Sequence, residues 1–217
     1  MKYISLLITL LISNFVFSQG LVATYKVYLS HLSGLKINYT GKYYYQGNQV
    51  IEFLQADYLK DNPTGMFVTN EKTRATLNMP TDSVQDVKYC LLDSGIYYFY
   101  NSFYGVKRFS FSKARSTIKP SGQEAQMHGL RCLQAFVYSS DSSSKPYAEI
   151  WYAPDIPAPC SFINWDSLGF MVKYIPANPG YYYEMENFEF VDNIPQAVFN
   201  RKELKPKKVK KKKGKQN

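Results

Sequence analysis

The sequence predicts an all-β protein, one mainly antiparallel sheet of about ten strands with little helix, and three observations carry that reading. Aromatic residues make up 17% of the chain, including twenty tyrosines, and they fall in runs such as Tyr43-Tyr44-Tyr45, Tyr97-Tyr98-Phe99-Tyr100 and Tyr181-Tyr182-Tyr183. Strands favour these residue types. Leu21, Ala23, Tyr25, Val27 and Leu29 alternate with Thr24, Lys26 and Tyr28, the period-two pattern of a half-buried strand. No window carries a sustained 3.6-residue apolar period, and Pro154, Pro157 and Pro159 exclude a regular helix where they fall.

In chain order, residues 1–18 come first: a Met1-Lys2 start, an apolar run and a small residue at Ser18. This is the pattern of a secretory signal peptide, and the apolar stretch from Ile4 to Phe17 is shorter than the ~20 residues that span a bilayer. Export is the expectation, with a periplasmic, outer-membrane-associated or released product. Residues 19–200 read as one β domain. After the strand at 21–29, further strands are expected at 35–45, 48–56, 65–70, 84–92, 95–101, 104–112, 130–138, 146–153, 168–175 and 181–190, separated by Gly, Asn, Asp, Ser or Pro. Strands 130–138 and 146–153 flank the polar stretch Ser139 to Ser144, which suits a long hairpin. In 181–190 the acidic positions slip from Glu184 and Glu186 to Glu189, so a bulge is expected near Glu186 or Asn187.

The net charge of +9 belongs to one segment. Residues 201–217 hold ten Lys or Arg and one Glu, which accounts for all of it and leaves residues 1–200 neutral. This polybasic tail has little to bury and reads as disordered. Lys205, Lys207, Lys208, Lys210, Lys211, Lys212, Lys213 and Lys215 are its candidate contacts to anionic lipid or lipopolysaccharide. Nucleic acid is not an expected partner, because the tail has no aromatic residue to stack on a base.

Sites for chemistry are sparse. The two histidines, His31 and His128, have no second His or Cys at metal-ligand spacing, and the chain carries no nucleophile elbow, phosphate-binding loop or dinucleotide fingerprint. No enzyme activity, cofactor or metal is expected. Among Cys90, Cys132 and Cys160 the preferred disulfide is Cys132 with Cys160, with Cys90 left as the thiol. Trp151 ends a strand, Pro154 and Pro157 stop pairing beyond it, and the following loop can fold across the mouth of a curved sheet. Trp151, Tyr152, Phe162 and Trp165 are therefore the candidate ligand or loop contacts.

The block from His128 to Ile175 resembles the GLPGLI family of exported Bacteroidetes proteins. Gly129, Cys132 and Ala135 match its Gly-aromatic-x-Cys-x-x-Ala strand, and Trp151, Tyr152, Ile156 and Pro157 match its Trp-aromatic-x-x-x-Ile-Pro strand end. Ala158-Pro159 stands in place of the family's Gly-Pro turn, and Ser167 to Met171 in place of its signature stretch, keeping Gly169. The resemblance implies a single curved, half-barrel-like sheet of the kind seen in periplasmic lipoprotein carriers. By that analogy the chain binds an apolar envelope ligand or a protein partner. The alternatives are an accessory protein of an outer-membrane receptor and a small outer-membrane β-barrel, which the lysine-rich end disfavours.

Overall fold

The computed structural model describes residues 19–31, 34–70, 72–94, 96–102, 105–110, 116–139, 145–156 and 168–204. Among the described residues thirteen strands are formed: β1 (Gly20–Ser30), β2 (Lys36–Gln46), β3 (Gln49–Gln55), β4 (Met66–Asn70), β5 (Ala75–Asn78), β6 (Val84–Leu91), β7 (Ile96–Asn101), β8 (Gly105–Ser110), β9 (Ser116–Met127), β10 (Leu130–Ser139), β11 (Ala148–Ala153), β12 (Phe170–Pro176) and β13 (Tyr181–Val191). A single turn of helix, α1 (Gln196–Phe199), follows.

Eleven of the strands make one antiparallel sheet in the order β8-β7-β6-β3-β2-β1-β13-β12-β11-β10-β9, and β4 with β5 form a separate hairpin. The first and last strands are thus neighbours at the centre, while β8 and β9, consecutive in sequence, are the two edges. That connection fixes the curvature. Ser110 and Ser116 are joined by six Cα-to-Cα steps, a reach of at most about 22 Å. Laid flat at about 4.8 Å per strand, the same sheet would hold its edges about 48 Å apart. The sheet is therefore curled on itself, yet no ladder joins β8 to β9 to close it into a barrel.

Every expected strand is present, and the bulge falls where the acidic positions slip. Thr24 pairs with Asn187 but Tyr25 with Met185, so Glu186 is the extra residue. Two strands were not expected, β5 and β9. Ser116–Met127 contains Pro120 and Gly122, which argue against a central strand. At the edge of a sheet Pro is tolerated, because the missing N–H faces no neighbour. β9 turns into β10 through His128 and Gly129, both with positive φ (52° and 78°), as a two-residue type I′ hairpin requires.

The inner face of the sheet carries the main core, including Tyr25, Val27, Tyr39, Tyr43, Val50, Leu54, Cys90, Phe170 and Met185. Phe67 and Leu77 of the β4–β5 hairpin pack on it. The Tyr58 hydroxyl donates to the Pro80 carbonyl at 2.5 Å beside that hairpin. On the outer face Ile51, Phe53 and Val87 are covered by Ile194, Phe199 and Leu204 of the C-terminal segment.

This covering corrects the boundary expected for the tail. Lys202–Leu204 form a 3-10 turn, and the Arg201 guanidinium lies 4.4 Å from the centre of the Phe53 ring. Residues 201–204 thus belong with the fold, and the lysines from Lys205 onward lie outside the described residues. Deleting residues 205–217 should leave the melting temperature nearly unchanged. Deleting 201–217 removes Arg201 and Leu204 as well and should cost about 2 kcal/mol, from one cation–π contact and one apolar side chain. Equal melting temperatures for the two truncations, by differential scanning calorimetry, would show that the 201–204 turn contributes nothing.

Candidate binding site

β3 is buried on both faces, because the sheet's interior lies on one side and the C-terminal segment on the other. Its sequence Val50-Ile51-Glu52-Phe53-Leu54 is accordingly apolar at every position except one. Glu52 points inward with Val50 and Leu54 and is 1% exposed. Neither of its carboxylate oxygens has a hydrogen-bond partner among the described residues. In register it sits between Tyr43 of β2 and Lys88 of β6. One rung along, Leu54 faces Asp86, which in turn faces Asn101 of β7. The Asn101 Nδ2 donates to Asp86 Oδ1 at 2.6 Å.

Glu52, Leu54, Asp86, Lys88, Phe99 and Tyr183 border a cavity of about 80 Å³. Burial pushes the Glu52 carboxyl up from 4.5 to about 8, against the opposing pull of the Lys88 charge. Near neutrality it is therefore mainly the neutral acid, able to donate one hydrogen bond and accept others. Burial also raises Asp86, countered by the Asn101 hydrogen bond. Tyr25 and Tyr183 are raised well above the usual phenol value, first by burial and then by neighbouring groups that include Glu52. The wall is thus aromatic and apolar with a small polar floor. Such a surface can bury the hydrocarbon of a ligand while offering one fixed polar contact.

The residues singled out from the sequence lie elsewhere or outside the described residues. The Trp151 indole N–H donates to Glu149 Oε1 at 2.7 Å, and the Gln134 amide donates to the same oxygen at 2.8 Å. Tyr152 is 7% exposed and packs with Ala135, Val137 and Ile150. Both are held by the β10–β11 ladder. Cys132 is fully buried, its Sγ donates to the Leu130 carbonyl at 3.6 Å, and burial pushes its thiol up. Cys160, Phe162 and Trp165 lie outside the described residues, as do residues 1–18. Among the described residues no three His, Cys, Asp or Glu side chains converge to hold a metal ion. The Glu52 cluster was not expected, although one charged residue within a continuously apolar strand is its visible trace.

No protein-family model and no curated protein matches the chain. Among solved structures it is similar to PNGF-II, determined in two space groups, with TM-scores of 0.53 and 0.49 and 15% identity over 84% of this chain. The chain spans 30% of the length of PNGF-II. It also matches an uncharacterised conserved protein from Thermus thermophilus, with a TM-score of 0.44 and 8% identity over 88% of each chain. At these identities the likeness to PNGF-II is one of fold.

Proposed function

We propose that this protein is an exported, non-enzymatic β-protein of the GLPGLI type that binds an apolar envelope ligand inside its curled sheet, in the periplasm or at the outer membrane. The observation that supports this reading best is the inner face itself, a concave aromatic wall with a fully buried carboxyl, Glu52, that has no hydrogen-bond partner among the described residues and borders a cavity. A face that served only as a core would have no use for an unsatisfied acid, which costs about 1–3 kcal/mol to bury. The signal-like residues 1–18 support export, and the lysines from Lys205 to Lys215 would hold the protein near anionic lipid or lipopolysaccharide.

A native mass measurement on protein purified from its own envelope tests the reading. An apolar, lipid-sized adduct should accompany the folded protein and leave on denaturation. Protein that arrives free of any adduct would count against it. One observation favours the second reading, an accessory protein docked on an outer-membrane receptor. Met66 and Val68, two apart on β4, are 53% and 57% exposed. A cross-link from β4 to an envelope protein, on adduct-free protein, would favour that alternative.

A further inference from the structure

Taking the inner face as a ligand site, as proposed above, we infer that the cavity beside Glu52 receives a primary ammonium group carried on an apolar chain. The first ground is the pair of carboxyl oxygens. Glu52 is 1% exposed, borders the cavity and makes no hydrogen bond among the described residues. An ammonium group brings three donors and no acceptor, the complement of an acid that offers acceptors alone once ionised.

The second ground is charge balance. Among the described residues the titratable groups facing Glu52 are Tyr25 on β1, Tyr43 on β2, Asp86 and Lys88 on β6 and Tyr183 on β13. With Glu52 protonated and the tyrosines neutral, Asp86 and Lys88 cancel. A cation that enters as Glu52 gives its carboxyl proton to solvent keeps the sum at zero, with one O–H bond broken and no other change. An anion would leave one uncompensated negative charge in a low-dielectric interior. The third ground is the lining, because Phe99 and Tyr183 beside the cavity add ring faces of the kind that attract ammonium groups. At about 80 Å³ the space suits a small head and its first methylenes.

The test uses the mature full-length protein and three probes of one chain length, hexylammonium, hexanol and hexanoate, titrated by calorimetry near pH 7 in buffers of different ionisation enthalpy. Hexylammonium should bind at least about tenfold more tightly than either other probe, a difference of roughly 1.4 kcal/mol, and should release close to one proton per ligand. Glu52→Gln, of the same shape, should lose most of the ammonium preference and all of the proton release while hexanol binding persists. Lys88→Met, which removes the resident cation, should instead tighten ammonium binding. Equal binding of the three probes, or an unchanged ammonium preference in Glu52→Gln, would overturn the ammonium assignment and leave the ligand-binding reading standing. If none of the three binds, both fall.

Discussion

Glu52→Gln should stabilise the protein above neutral pH and leave it nearly unchanged near pH 5. The carboxyl rises from 4.5 to about 8 on folding because the β3 strand carries it into an interior where its charge is poorly solvated. A group whose folded value lies above its unfolded one binds its proton more tightly when folded. Its contribution is fully present below 4.5 and is lost as pH climbs through the window up to about 8. The difference corresponds to a loss on the order of 5 kcal/mol for a fully buried site, at about 1.4 kcal/mol per unit. Glutamine keeps the shape and the neutral state, so the variant has no such window. Asp86 remains to balance Lys88, and its own titration is common to both proteins. Urea unfolding at intervals from about pH 5 to about pH 9 should give a falling stability for the wild type and a flatter one for the variant. Parallel curves would mean that Glu52 is solvated in the folded protein.

Gly169→Ala should be the most damaging small substitution in the sheet. Gly169 stands just before β12 with φ at +111°, a conformation that residues with a Cβ rarely adopt. An added Cβ would run into the Ala153 carbonyl oxygen and stand 2.8 Å from the Pro154 Cα, both of them backbone atoms at the end of β11. Neither can rotate aside as a long side chain can. Strain and displacement together should cost on the order of 3 kcal/mol or more. The damage should spread to Phe170, fully buried next door, whose ring meets Tyr25, Tyr43 and Phe188 at centroid distances of 6.0–6.2 Å. Thermal unfolding followed by near-ultraviolet circular dichroism reads both the lower melting temperature and the loosened aromatic core. A variant with wild-type stability and spectrum would show that β11 and β12 can part at this point without loss.

Where the chain alternates strictly, the sequence reading and the fold coincide. β1 is the clearest case, since its odd residues face the core and the strand pairs on both sides without a break except at Glu186. β9 was illegible because Pro120 and Gly122 weigh against any strand, and only position in the sheet makes them harmless. A single sequence does not say which strand will lie at an edge. Glu52 was hidden for the opposite reason. Its strand looks like a plain apolar run, and whether the one acid in it meets solvent, a cation or a void depends on β2 and β6. Trp151 drew attention as a large aromatic at a strand end, yet the hydrogen bond to Glu149 gives it a structural role within the ladder.

The pairing of β1 with β13 has a consequence for how the molecule comes together. β1, β2, β3, β6, β7 and β8 make one run of neighbouring strands and β9 to β13 another, and each can zip up from local turns soon after it is made. The ladder that joins them matches Gly20 to Val191 and is the last to form in any order of emergence. Loop closure over so long a stretch is slow compared with hairpin formation. Until it happens β1 is a bare edge of Leu21, Ala23, Tyr25 and Val27, apolar and open to pairing with any other chain. The half-made protein is therefore a natural client for a holding chaperone. A permuted chain that starts at β9, with the old ends tethered, would turn that slow joining into a local one.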